Sequence, residues 1–240
     1  MRNVLKQSAL LRRTYYKVLL ASAAGQSDES QIVERLAVDA PRTFIEIGFH
    51  PIEFNCISLA RSPDWRGLLI DGNERQVADA KILFHDGVDI VHRFLTLDNL
   101  DFIKRRFREV GILSIDVDGN DYWLLKSLID IRPAVISVEY NASFRLEPVA
   151  VPYDESFDRH EKHPTGWYHG ASITALASLC AQYGYGLAAV SGAGANAFFT
   201  PGGALDPTEA WRPNSLRDKW SHSTPEEQWR QIQGLPLISV

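Results

Sequence analysis

From Pro41 onward, short apolar runs alternate with stretches of helical period. Thr43 to Ile47 reads as a buried strand ending at Gly48, and Glu53 to Ala60 as a helix. Gly67 to Asp71 predicts a second strand, and Glu74 to Phe84 a second helix. Val88 to Phe94 and Ile112 to Asp116 predict strands on either side of a helix from Leu100 to Val110. A helix from Asp121 to Ile129 and a fifth strand from Ala134 to Glu139 follow. These strands carry Val, Ile and Leu on both alternations, as expected of a sheet covered by helices on both faces. Strand–helix units joined by such short links imply a parallel doubly wound sheet, an α/β fold.

The rhythm breaks between Asn141 and Tyr168, a polar stretch with Pro148, Pro152 and Pro164. An irregular insertion of that length in a compact domain suits a lid or a binding loop. Ala171 to Tyr183 then predicts a helix, with Ser172 as cap and Gly184 as terminator. Gly186–Val190 and Asn196–Thr200 read as strands joined by Ser191-Gly-Ala-Gly-Ala195, a link suited to a hairpin that turns the last strand antiparallel. Further on, Thr224-Pro-Glu-Glu227 has a cap, a first-turn proline and a capping-box glutamate, and predicts a helix leading into Gln228–Gln233. The organisation expected is a helical segment over 1–40, a core domain over 41–200 with its insertion at 141–168, and a tail over 201–240. Within the first segment, basic residues precede Val18 to Ala24 in a loose imitation of a signal peptide; an amphipathic helix covering a sheet edge is the expected form.

At 240 residues, 45% hydrophobic and 23% charged, the chain has the composition of one folded globular domain. A net charge of −5 argues against a duplex nucleic-acid binder. No stretch approaches the length of a membrane span. Cys56 and Cys180 lie in apolar helical stretches, which suits buried free thiols and a cytoplasmic location. Trp211, Trp220 and Trp229 in the tail could pack in cis or across a homodimer.

Ligands of open parallel sheets bind beyond the carboxyl ends of the strands. There the predicted strands end in Glu46 and Gly48, Asp71, then Asp98 and Asn99, then Asp116, Asp118, Asn120 and Asp121, and finally Glu139 and Asn141. An acidic row of this kind is costly to bury without a partner, and a polar ligand or a metal accounts for it better than capping alone. Gly48 leaves room for close approach of a ligand, and Asp71, 25 positions after Glu46, is placed to accept ribose hydroxyls. No Lys-Ser or Lys-Thr follows Gly48, so a phosphate-cradling loop is disfavoured. Glu46 would repel a pyrophosphate but tolerate a sulfonium, which turns the expected nucleoside cofactor from NAD toward S-adenosylmethionine.

The run Ile115-Asp-Val-Asp-Gly-Asn-Asp-Tyr-Trp123, followed by Val138-Glu-Tyr-Asn141, resembles the FkbM-type S-adenosylmethionine-dependent methyltransferases, in particular a bacterial subgroup with a DVDGNDYW signature. Val151-Pro-Tyr-Asp154, Tyr168-His-Gly-Ala-Ser172 and Asn196-Ala-Phe-Phe199 resemble it too, so the likeness runs from about Phe44 to Thr200. His50, Pro51 and Ile52 depart from it, standing where small residues are common. The resemblance implies a Rossmann-like methyltransferase fold with an antiparallel last strand, and O-methylation of a hydroxyl on a sugar or secondary metabolite. It places Glu46 and Gly48 at the methionine end of the cofactor, Asp71 at the ribose, Asp98 and Asn99 near the adenine, and Asp116 beneath the sulfonium or at the reaction centre.

Methyl transfer to a hydroxyl needs a base or a metal. Asp116, Glu139 and Asn141 resemble the carboxylate, carboxylate and amide set of Mg²⁺-dependent O-methyltransferases, with Asp118 able to replace Asp116. His169 is the competing base. Trp167 and Tyr168 are candidates for stacking on the acceptor, whereas Tyr122 and Trp123 suit packing. The His160/His163 pair lacks the setting of a zinc site. The rivals are a catalytically inactive, methyltransferase-like binding or scaffold protein, suggested by Pro51 in the glycine loop, and a nicotinamide-dependent oxidoreductase.

Overall fold

The computed structural model describes residues 27–240 together with Tyr16. The expected helix before Gly25 therefore lies outside the described residues. In chain order the chain forms α1 (Glu29–Leu36), β1 (Thr43–Ile47), α2 (Ile57–Arg61), β2 (Arg66–Asp71), α3 (Glu74–Leu83) and β3 (Val88–His92). Next come α4 (Asp101–Lys104), β4 (Ile112–Ile115), α5 (Asp121–Leu128), β5 (Val135–Glu139), β6 (Val149–Ala150) and α6 (Arg159–Lys162). The remainder is α7 (Ile173–Gln182), β7 (Gly186–Val190), β8 (Asn196–Thr200), α8 (Pro207–Ala210), α9 (Ser215–Ser221), α10 (Pro225–Ile232) and β9 (Ile238–Ser239).

Seven strands form one sheet in the order β3-β2-β1-β4-β5-β8-β7. All neighbouring pairs from β3 to β5 are parallel, and β8 runs antiparallel to both β5 and β7. This is the Rossmann-like methyltransferase architecture, with the expected hairpin at Ser191–Ala195. The order reverses between β1 and β4, so a crevice opens beyond the carboxyl ends of those two strands. Apolar cores lie on both faces. Ile45, Ile47, Leu113 and Ile115 face α5 and α7, and Phe44, Ile112, Val135 and Phe198 face α1, α2 and α3. Both cysteines are buried and free.

The second face also carries polar residues in register: Glu46 pairs with Leu69 on one side and Ser114 on the other, and Ser114 pairs with Ser137. The Asn55 amide enters this row and donates to Ser114 Oγ at 3.1 Å, Ser137 Oγ at 3.0 Å and Asn196 Oδ1 at 3.3 Å. That contact moves the start of α2. A helix from Glu53 is expected, but the chain turns at His50–Glu53, and Glu46 receives the Cys56 N–H just before Ile57. The helix expected over Leu100–Val110 is also shorter: it ends after Lys104 with Arg105 as its C-cap, and Val110 joins the core ahead of β4.

The predicted terminal signals act as expected in α7 and α10. Ser172 caps α7 by accepting from Ala175 N–H, Gly184 ends it at φ +81°, and Thr224 and Glu227 form the capping box of α10. The insertion is tied to the C-terminal segment. β6 pairs antiparallel with β9, the Phe144 ring meets Trp229 edge-on at 6.1 Å, and Tyr168 Oη donates to the Pro236 carbonyl. Trp167 and Tyr168 are consequently buried in a small core with Phe144, Val151 and Ile232 and are not free to stack on a ligand. Trp229 packs in cis in this way, whereas Trp220 is 83% exposed. Among the described residues, no helix is long and apolar enough to cross a membrane.

Candidate functional site

A cavity of about 990 Å³ occupies the crevice where the strand order reverses. Glu46, Gly48, Asp71, Asp116 and Asp118 line it, so five of the expected site residues converge. Its volume suits a nucleoside-sized ligand. Gly48 stands at φ +77°, and a Cβ there would lie 1.7 Å from the Asp116 carbonyl oxygen. Only glycine lets the β1 turn pass that close to β4. Phe49 is buried, with its ring meeting Phe54 edge-on at 5.9 Å. Of the three residues that depart from the small-residue pattern, His50 lines the crevice and Pro51 and Ile52 do not.

Glu46 is fully buried. Its Oε2 accepts the Cys56 N–H at 2.9 Å and its Oε1 the Ser114 hydroxyl at 2.7 Å. Burial pushes its carboxyl up to about 7 despite those hydrogen bonds. Asp71 braces the glycine turn, with Oδ2 accepting the Phe49 N–H at 3.0 Å and Oδ1 the Asn73 N–H at 2.6 Å. A carboxylate has about four acceptor positions, so Asp71 retains capacity for ligand hydroxyls.

Asp116 is half-buried on the cavity wall. Burial, and then the negative charges of Glu139, Asp118, Asp121 and Glu46, hold its carboxyl well above the usual range. Asp118 is exposed, stands at φ +57° and is ion-paired with Arg159. Such a left-handed non-glycine residue persists where its surroundings over-determine it. Here Asp121 does so, accepting the Val117 N–H at 2.9 Å and the Gly119 N–H at 3.0 Å. Burial raises the Asp121 carboxyl to about 6.

The predicted adenine residues do not reach the cavity. Asp98 is exposed, and Asn99 is spent on a capping box with Thr96 and on the Phe94 carbonyl. Arg93, Phe94 and Leu95, just upstream, line the wall instead. Phe94 is 58% exposed although apolar. The insertion contributes Phe157, Asp158, Arg159 and His160. The Phe157 ring lies on Gly119, where a Cβ would stand 2.4 Å from it. Sequence reasoning reads this insertion as a lid or a binding loop but misses these four. The usable signal was Asp158 with Glu161 three positions on, a helix start in which Asp158 accepts the His160 and Glu161 N–H groups.

Behind the Asp118–Arg159 pair lies a second polar layer. Ligand-capable atoms of Asp118, Glu139 and His169 lie within 4.8 Å of one another. His169 Nδ1 faces Glu139 Oε2 at 3.6 Å, too far for a hydrogen bond, and both atoms are buried without a hydrogen-bond partner. Burial raises Glu139 to about 8 and holds His169 well below its usual value. Arg217, from α9, donates to His169 Nε2 at 2.8 Å, Asn141 Oδ1 at 2.6 Å and Ser143 Oγ at 2.9 Å. The Asn141 amide also donates to the Trp167 and His169 carbonyls, and its oxygen accepts the Ser143 N–H.

These contacts do not fit the expected metal set of Asp116, Glu139 and Asn141. Asn141 is saturated by protein partners, and a cationic guanidinium holds the very oxygen that would bind the ion. They also leave His169 poorly suited to act as a base. A guanidinium can only donate, so Nε2 accepts and the ring proton sits on Nδ1.

No protein-family model and no curated protein sequence matches the chain. Solved structures do. Cofactor-bound Rv0187 from MTB is 17% identical over 80% of this chain and 90% of that one, with a TM-score of 0.50. The O-methyltransferase from Bacillus cereus in complex with SAH is 18% identical over 78% of this chain and 88% of that one, at 0.49. The N-terminal domain of EvdMO1, in the presence of SAH and D-fucose, is 16% identical over 72% and 79%, at 0.45. At such identities the likeness is one of fold.

Proposed function

We propose that this chain is an S-adenosylmethionine-dependent methyltransferase acting on a hydroxyl oxygen, as on a sugar or secondary metabolite. The observation that carries the reading is the cavity at the strand-order reversal, with Gly48 pressed on the Asp116 backbone, Asp71 at the next strand end and an acidic wall without a phosphate-binding loop. S-Adenosylmethionine, when bound, supplies an electrophilic methyl group on a sulfonium cation.

Asp71 holds the ribose hydroxyls while bracing the Phe49 and Asn73 amides. Phe94 offers an exposed ring to the adenine. Glu46 acts through the fold: both its oxygens are bonded within the protein, and they set the first turn of α2 below the methionine end. Asp116 complements a cation on the cavity wall. Beside a bound cation the raised Asp116 carboxyl is drawn back toward its charged form, leaving a carboxylate placed to accept a proton from an acceptor hydroxyl. Phe157 and the Asp118–Arg159 pair form the acceptor side, an apolar face beside charged hydrogen-bonding groups.

Calorimetric titration of the full chain with S-adenosylhomocysteine tests the reading. Saturable heat, with binding weakened in Asp71→Ala, is expected. Absence of heat with demonstrably folded protein points to the inactive binding role, and tighter binding of NAD points to an oxidoreductase.

A further inference from the structure

Asp118, Glu139 and His169 have the composition of a divalent-cation site, and two of the ligand-capable atoms are buried without hydrogen-bond partners. Coordination requires a lone pair on His169 Nδ1. Releasing that lone pair puts the ring proton on Nε2, where it would meet the Arg217 Nη2 donor at 2.8 Å. Two donors would then face each other. The cluster already holds positive charge from two sides. Arg159 is paired with Asp118, and Arg217 is anchored by Asn141 and Ser143 as well as by the imidazole.

Arg217 is anchored from its own side too. Asn214 caps α9 through the Arg217 N–H at 2.9 Å. Gln228 joins the same network, its oxygen accepting from Ser143 Oγ at 2.6 Å and its amide donating to Asp218 at 2.7 Å. Two bonds from the guanidinium therefore bind the C-terminal segment to the residues just after β5, across 76 positions of chain to Asn141, and a third reaches His169 ahead of α7. A guanidinium held so rigidly defines the state of what it touches.

We infer that Arg217 stands in this site for a metal ion: its guanidinium supplies the positive charge and pins His169 in the tautomer that aims a proton, not a lone pair, at Glu139. Arg217 is thus a positioning residue of the acceptor side, and the acceptor is activated without a divalent cation. Only this last consequence rests on the methyltransferase reading.

The test is long-range proton–nitrogen NMR on the full chain labelled with ¹⁵N-histidine, with His169 assigned through His169→Asn. In the wild type the imidazole proton is expected on Nδ1, and millimolar Zn²⁺ should leave the His169 Nδ1 resonance unshifted. Arg217→Lys, still an obligate donor, should keep that tautomer. Arg217→Met should move the proton to Nε2 and allow Zn²⁺ to shift Nδ1. A merely structural arginine would not move the tautomer. A wild-type proton on Nε2, a Zn²⁺-shifted wild-type Nδ1, or an unchanged tautomer in folded Arg217→Met overturns the proposal. If the Met variant does not fold, the wild-type and Lys spectra decide. Calorimetry with S-adenosylhomocysteine on the same sample reads the functional assignment separately, so failure of one leaves the other standing.

Discussion

Replacing Glu46 by Gln should remove one share of the pH dependence of this protein's stability. Glu46 is fully buried and its carboxyl is raised from 4.5 to about 7, chiefly by desolvation. Its folded-state pKa lies above the unfolded one. Its contribution is therefore fully present below about 4.5 and is lost as pH rises through about 7. Integrated between about pH 5 and about pH 8, that loss is on the order of 2–3 kcal/mol. Gln is nearly isosteric with the protonated acid. Its carbonyl can accept the Cys56 N–H and its amide can donate to Ser114 Oγ, whose hydroxyl turns away. Glu46→Gln should thus be nearly neutral at the acid end and stabilising by roughly 2–3 kcal/mol at the alkaline end. Asp121 and Glu139 are raised in the same direction, and their shares largely cancel between wild type and variant. Asp116, which the Glu46 charge helps to raise, loses part of its shift in the variant, and that adds to the same difference. Urea unfolding of both proteins at the two pH values measures the difference. If the variant loses as much stability as the wild type on going alkaline, then Glu46 does not titrate in the fold and the reasoning from burial is wrong.

Gly48→Ala forces a Cβ onto the Asp116 carbonyl at φ +77° and should cost about 3 kcal/mol or more, seen as a fall in thermal midpoint of about 6–12 °C. A midpoint within a degree of wild type would contradict the close approach of β1 and β4. Asp71→Ala should weaken S-adenosylhomocysteine binding by about 10- to 100-fold in calorimetry, since it removes both the ribose acceptor and the brace on Phe49. Asn55→Ala leaves Ser114, Ser137 and Asn196 without their shared donor, and chemical denaturation should show a loss of about 2–3 kcal/mol. An unchanged midpoint would mean that the polar row finds other partners.

Local pattern alone determined the sheet and its layers. Runs of Val, Ile and Leu long enough only for strands, separated by short helical stretches, leave few arrangements besides a parallel sheet covered on both faces. Ser172, Gly184 and the Thr224–Glu227 box act within one turn of their own backbone, so their effects are legible where they stand. The acidic row was legible for the same reason, because strand ends can be counted along the chain.

The tertiary structure decided what each member of that row does, because a carboxyl group's role depends on which donors and charges surround it. Glu46 and Asp116 both end strands, yet one is saturated inside the sheet and the other faces the cavity. Asn55, unremarkable in its own segment, sets the start of α2 because three strands converge on its amide. Trp167 and Tyr168 suit a binding loop by composition, but the C-terminal segment covers them. Arg217 gives no signal among the charges of the tail. It reaches His169 across 48 positions only because the chain folds back over the end of β5, and its single-valued role as a donor then sets the state of the imidazole.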